Sequence, residues 1–386
     1  MTIWNQSFSF TLPTKIVFGP GCIKDLGSLI TGLGGVHPLF ITDSGVIKAG
    51  ILEKALEKLG EEFKPVIFDG VEANPRDVTV AAAAYRYRKA RADCMVAIGG
   101  GSPIDCAKAA GVLIANKGDN IKAFEGMAGA SKTIPPLIAI PTTAGTGGEL
   151  TFSAMITDTA NHYKMTIKNA CAAAKIALCD PELTLASPPA LTASAGMDAL
   201  AHAIEAYTAS CAEPLADAAA LYAVELIAQN LPVVFKNGSD LSARSKMLMG
   251  SMLGGIAFSH SDAASAHCIT AALGGMYDLP HGVCNSIILP FIMEYNLNYC
   301  VDGYARIARA MGLKPDQGRE GALAAVEAVR KLAQEVKLPL FSSLSVDEKD
   351  FPVIARTAGE NISNQSNPRP MTEEDYLKVL KTMASA

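Results

Sequence analysis

None of the nine cysteines, at 22, 94, 106, 171, 179, 211, 268, 284 and 300, stands in a C-x-x-C pair. Their odd count and apolar surroundings exclude a paired-thiol framework and read as reduced thiols serving as small core residues of a cytoplasmic protein. No uninterrupted apolar run reaches the ~18–20 residues of a membrane-spanning helix. The N-terminal stretch MTIWNQSFSFTLPTKIVFG has neither the charged start nor the apolar segment of a signal peptide, and it alternates like a strand. A net charge of −5 supplies no general basic field, so neither nucleic acid nor an anionic membrane is an expected partner. Long linkers, internal repeats and low-complexity tracts are missing too. What is present is a chain of 386 residues, 49% hydrophobic and 18% charged, with 33 glycines. That is the composition of an ordinary-to-apolar enzyme with length for two or three domains.

The two halves follow different patterns. HPLFITD, FKPVIFDGV, CMVAIGGG and PPLIAIPTT are near-continuous apolar runs, as expected of parallel strands covered by helices on both faces. VIKAGILEKALEKLG and DVTVAAAAYRYRKARA alternate with them as helices, which predicts a doubly wound α/β domain over residues 1–187. From 188 to 386 the chain reads as alanine-rich helices punctuated by glycine and proline, and no strand is expected after about 185. The expectation is therefore an α/β N-terminal dinucleotide-binding domain followed by an all-α domain, the two packed around a cleft.

Two loops in the first half suit an anionic ligand. In MVAIGGGSPIDCAKA a buried strand runs into three glycines, with Ser102 as a helix N-cap and Pro103 as the first helical residue. Glycines at 99 to 101 let the backbone turn sharply and approach a ligand with bare N–H groups, and the helix N-terminus behind them favours a pyrophosphate, although the spacing is not G-x-G-x-x-G. The second loop, IAIPTTAGTGGELT, places the hydroxyls of Thr142, Thr143 and Thr146 after a strand, where open α/β sheets bind ligands. Asp43, closing LFITD, either accepts bonds from an adenosine ribose, which disfavours a 2′-phosphate and points to NAD over NADP, or caps a helix.

In the second half, ASAGMDALAHAIEAY places Asp198 and His202 one helical turn apart. Alone, such a pair is either a solvated ion pair or half a metal site. Of the chain's six histidines, His202, His267 and His281 join Asp198 in the helical half. One carboxylate and three imidazoles make a donor set suited to Fe(II) or Zn(II). A cofactor-binding half beside a metal-binding half is a plan for hydride transfer to or from an alcohol or carbonyl.

The motifs PTKIVFGPG, GVEANP, GGGSPIDCAKA, PLIAIPTTAGTGGE, GMDALAHAIEAY, PHGVCN and NPRP, in this order, resemble the iron-dependent (group III) alcohol dehydrogenases, the family of lactaldehyde reductases and NAD-linked methanol dehydrogenases. The resemblance covers essentially the whole chain and implies a dehydroquinate synthase-like architecture. It implies metal ligands at Asp198, His202, His267 and His281, which carry catalysis by orienting the substrate oxygen. It implies NAD contacts at Asp43, Gly100, Gly101, Ser102, Thr142, Thr143, Thr146 and Lys164, and a homodimer or higher homo-oligomer involving the N-terminal strand. The implied substrate is a small primary alcohol or aldehyde, with a polar or anionic aldehyde as the alternative. Three positions depart from the pattern. Gly148 replaces a serine and is expected to loosen its loop; Ala271 stands where many relatives carry a histidine; His260 stands where asparagine is common. On a continuous helix His260 lies two turns before His267 and faces the pocket; otherwise it is a helix-cap or surface residue. A dehydroquinate-synthase-like lyase needs several Lys and Arg converging on a phosphate, and the ligand helices show no such cluster. A retired, non-catalytic protein conflicts with complete ligand and cofactor sets.

Overall fold

The computed structural model describes residues 7–126, 129–161, 163–314 and 318–385. Six strands form one parallel sheet: β1 (Lys15–Phe18), β2 (Pro38–Asp43), β3 (Val66–Val71), β4 (Cys94–Gly99), β5 (Leu137–Pro141) and, after a hairpin, β8 (Ile176–Cys179), in the order β1-β8-β5-β4-β2-β3. Helices α1 (Leu26–Gly32), α2 (Ser44–Lys48), α3 (Ile51–Leu56), α4 (Asp77–Ala90) and α5 (Gly101–Asn116) run between them. Alternate residues of each strand feed opposite cores. Leu39, Ile41, Met95 and Ala97 pack with residues of α4 and α5, whereas Phe40, Val96 and Ile98 pack with Leu26, Ile30 and Leu52 of α1 and α3. Burial on both faces is why these strands read as unbroken apolar runs.

The N-terminal alternation yields less strand than expected. The ladder begins at Lys15, two residues after Pro13, which has no N–H to donate; residues 7–14 carry no strand, and residues 1–6 lie outside the described residues. The helix expected over VIKAGILEKALEKLG is two helices, broken where Gly50 adopts φ 68°. Two strands lie where the sequence reading places none, β6 (Ser153–Asp158) and β7 (Tyr163–Lys168), an antiparallel hairpin that buries only alternate residues; β8, four residues long, is a third.

The helical part comprises α6 (Pro189–Thr208), α7 (Pro214–Lys236), α8 (Leu241–Ser261), α9 (Ser265–Tyr277), α10 (His281–Asn296), α11 (Val301–Ala310), α12 (Arg319–Glu335), α13 (Phe351–Glu360) and α14 (Glu373–Ala384). Every residue of α6 from Gly196 to Thr208 is buried, so this helix is enclosed on all sides. Small residues permit that: a Cβ on Gly196 would overlap Leu231 of α7, and one on Gly254 of α8 would touch the Ala199 carbonyl. α7 is long and apolar enough to cross a membrane, yet its Ala220, Ala223, Val224, Ile227, Leu231 and Val234 belong to the same buried cluster as α6 and α8. The chain divides into two compact units. One holds 11–143 and 147–187; the other holds 188–385 together with the short segments 7–10 and 144–146.

Candidate active site

In the α/β unit, β2 leads outward to β3 while β4 returns to the other side of β2, so strand order reverses between β2 and β4. Doubly wound sheets take ligands at the carboxyl ends flanking such a reversal. Asp43 closes β2 and caps α2, its Oδ1 accepting the N–H groups of Gly45 (2.7 Å) and Val46 (3.0 Å). Its Oδ2 lies 3.2 Å from where a Cβ on Gly99 would sit, and a Cβ on Gly100 would sit 3.2 Å from the Thr143 hydroxyl. The turn after β4 therefore runs as bare backbone between Asp43 and Thr143. Buried Thr142 donates its N–H to the Gly99 carbonyl at 2.9 Å, tying the ends of β4 and β5.

α5 starts earlier than the sequence suggests. Gly100 is the N-cap and Gly101 the first helical residue, so Ser102 and Pro103 fill the second and third positions. Proline is tolerated throughout the first turn because no N–H there has an intrahelical acceptor. The N–H groups of Gly101 and Ser102 are thus available at the helix N-terminus. Lys164, on β7, donates to the Asn74 side chain at 2.6 Å and lies close enough to favour the charge of Asp105 in α5. Thr146 belongs to the helical unit, unlike Thr142 and Thr143. Around Gly148 the loop after β5 is tied to α5 chiefly through its backbone carbonyls. Buried Lys108 of α5 donates to the carbonyls of Gly148 (2.5 Å), Thr151 (2.9 Å) and Ser153 (3.0 Å) and to the Thr151 hydroxyl (2.8 Å).

In the helical unit, Asp198 and His202 of α6, His267 of α9 and His281 at the start of α10 offer one ligand atom each, all within 4.8 Å of one another. Asp198 is 2% exposed and His202 5% exposed, which excludes a solvated surface pair. His202 Nδ1 and His281 Nε2 each stand 3.9 Å from an Asp198 oxygen, beyond hydrogen-bond reach. Buried His202 Nδ1 and His267 Nε2 have no hydrogen-bond partner. Buried polar atoms are rarely left so, and bare imidazole nitrogens converging on a carboxylate fit a divalent cation.

Neighbouring groups hold these ligands in place. Asn285 of α10 donates to Asp198 Oδ1 at 2.7 Å and accepts the Thr270 hydroxyl at 2.6 Å. Phe258 of α8 stacks on the His202 ring, 4.6 Å between centroids. A Cβ on Gly282 would meet the Ser194 carbonyl at 2.4 Å, so only glycine lets the start of α10 approach α6. Glu205 of α6 accepts from His267 Nδ1 and from the N–H groups of Ala266 (2.7 Å) and Ala264 (3.0 Å). Glu205, Asn285 and Thr270 are absent from the sequence reading. Glu205 had a signal: with Asp198 and His202 it completes an i, i+4, i+7 polar row on an apolar helix. Burial opposes the Asp198 charge, but the imidazoles of His202, His281 and His267 outweigh it and hold its carboxyl below the usual range. Burial pushes His202 down to about 4. Burial acts the same way on His267, where Glu205 reverses it and raises the imidazole.

Family models cover both units: iron-containing alcohol dehydrogenase over residues 13–181, and the C-terminal part of the Fe-containing alcohol dehydrogenase family over 192–384. The chain belongs to the iron-containing alcohol dehydrogenase family. It is 37% identical over 382 residues to 1,3-propanediol dehydrogenase of Citrobacter freundii, covering 97% of this chain and 98% of that one. It is 36% identical to NAD-dependent methanol dehydrogenase of Bacillus methanolicus, covering 97% and 99%. A crystal structure of 1,3-propanediol oxidoreductase superposes with a TM-score of 0.94 at 36% identity, covering 98% of this chain and 100% of that one.

Within this iron-containing alcohol dehydrogenase, the departures noted in the sequence acquire places. Ala271 is buried on α9, one turn after His267. His260 is not on a continuous helix with His267. α8 ends at Ser261, and Asp262, at φ 80°, turns the chain before α9. His260 Nδ1 bonds the Ile256 carbonyl at 2.8 Å and its ring stacks on Phe10, 3.9 Å between centroids. It is a residue of the final helical turn, engaged on both its edge and its face.

Proposed function

We propose that this alcohol dehydrogenase transfers a hydride between NAD(H) and a small primary alcohol or aldehyde, with a divalent metal, iron or zinc, held by Asp198, His202, His267 and His281. The observation that carries the reading is the convergence of these four side chains, one ligand atom of each within 4.8 Å of the others, with a bare buried nitrogen on His202 and another on His267. A divalent ion there supplies Lewis acidity to an alcohol or carbonyl oxygen. Asp198 brings the negative charge that such an ion requires, and Asn285 keeps one of its oxygens oriented. The N–H groups of Gly101 and Ser102 take the pyrophosphate, and Thr142, Thr143, Thr146 and Lys164 complete the cofactor contacts. Asp43 Oδ2 accepts from a ribose hydroxyl and repels a 2′-phosphate, which supports NADH over NADPH.

NAD dependence is also supported by the relative described as an NAD-dependent methanol dehydrogenase, and a small alcohol by that protein and by the propanediol dehydrogenase. The engagement of His260 by Ile256 and Phe10 favours a neutral substrate tail over an anionic one. The test is steady-state NADH oxidation on metal-quantified protein, across matched neutral, hydroxylated and anionic small aldehydes. Turnover of the neutral short aldehydes is expected to be fastest and to scale with bound metal. Turnover independent of metal content, or confined to anionic aldehydes, contradicts the proposal.

A further inference from the structure

Glu205 is 3% exposed, and its carboxylate oxygens meet two backbone N–H groups and one ring nitrogen. Oε1 accepts the Ala266 N–H; Oε2 accepts the Ala264 N–H and meets His267 Nδ1. Two backbone donors already engage these oxygens as acceptors, so the ring nitrogen completes the set only as a third donor. The opposite nitrogen, Nε2, is buried and has no partner. The reverse tautomer would place an N–H at Nε2 in that buried position without an acceptor, which is costly. We infer that Glu205 is a positioning residue that fixes His267 with its proton on Nδ1, making Nε2 the atom offered to the metal.

The same carboxylate joins two ligand-bearing helices. It sits one turn beyond His202 on α6 and closes the turn that leads into α9, where Asp262 adopts φ 80° and ψ 163°, a conformation natural only to glycine. Asp262 is held there by the hydroxyls of Ser366 (2.9 Å) and Ser363 (3.4 Å). Tyr376 supports the first turn of α9 from another side, its hydroxyl 3.0 Å from Ser265 Oγ. Glu205 therefore meets the ring itself, whereas the hydrogen bonds of Tyr376 and Asp262 go to Ser265, Asn364, Ser363 and Ser366 and not to the ring.

This inference rests on the metal assignment proposed above, and the experiment separates the two. In Zn(II)-loaded wild-type protein with 15N-labelled histidine, His267 should show a protonated Nδ1 and a metal-bound Nε2. Glu205→Gln replaces one acceptor oxygen with an N–H donor at nearly constant shape, and should weaken Zn(II) retention against a chromophoric chelator by about 10–100-fold. Tyr376→Phe loosens the same turn without touching His267, and should lower thermal stability while leaving Zn(II) affinity unchanged. Zinc bound through Nδ1 in the wild type overturns the inference, and does so even if Glu205→Gln fails to fold. So does full retention of zinc by Glu205→Gln, or an equal loss in Tyr376→Phe. A wild type that takes up no zinc overturns the metal assignment itself, and this inference with it.

Discussion

Asp198 and His202 are one turn apart, as their spacing requires, and what distinguishes them from an ordinary helical ion pair is burial. A carboxylate taken out of water needs positive charge or donors, and here imidazoles and one amide surround it. Replacing His267 or His281 by alanine should therefore reduce metal content and turnover together, because each removes a bond to the ion. A variant with full metal stoichiometry and wild-type rate would exclude that histidine from the ligand set. At Asp43, Oδ1 caps α2 while Oδ2 faces the glycine turn. Asp43→Gly should narrow the preference for NADH over NADPH while costing only about a few tenths of a kcal/mol in stability, since glycine is an acceptable N-cap. Equal use of both cofactors by the wild type would remove the electrostatic argument.

Among the elements, α5 does more than begin at the glycine turn. Lys108 and Asp105 reach across to the chain that follows β5: Lys108 takes four acceptors there, and Asp105 accepts the Met155 N–H at 3.0 Å. The helix whose N-terminus faces the first loop thus also holds the second. Burial pushes Asp105 up to about 6 and Glu149 to about 7, with Lys108 only partly offsetting it. Folded values above the unfolded ones mean that the contribution to stability is full below about pH 4 and is lost as pH rises through the folded values. Lys108, pushed down to about 8 by burial, acts in the opposite sense only above that pH. Glu149 makes the denaturation midpoint fall as pH rises from about 4.5 to about 7, so the midpoint of Glu149→Gln should gain on that of the wild type across this window. An unchanged slope in Glu149→Gln would show that Glu149 does not titrate there.

At the scale of the whole molecule, the four candidate ligands come from three helices, α6, α9 and α10, brought together in the helical unit. An ion bound only by the folded arrangement stabilises it by mass action, about 2.7 kcal/mol at a hundredfold excess over Kd. For a unit of this size that corresponds to a rise in Tm of roughly 5–10 °C. Adding Zn(II) to metal-free protein should produce that rise, and His281→Ala should abolish it. An equal rise in the variant would place the stabilising ion elsewhere. The same enclosure explains α7, whose apolar length suits a membrane but is used as a wall of the helical core.

The sequence by itself determined the fold class, because a strand buried on both faces and a helix buried all round must be apolar in patterns that survive in one dimension. It also made the four candidate ligands legible, through residue types that suit a metal and through the order of motifs that resemble the family. Elements that bury only alternate residues, such as β6 and β7, or that are very short, such as β8, carry too weak a pattern to stand out. Backbone conformation escaped as well: the start of α5 at Gly101 and the break at Asp262 depend on φ and ψ that several neighbouring sequences would permit. Only the tertiary structure brought Glu205 to His267, Asn285 to Asp198 and Lys108 to the loop after β5. Those partners are 62, 87 and 40 residues apart. Hydrogen bonds across such distances follow from packing, which no local spacing encodes.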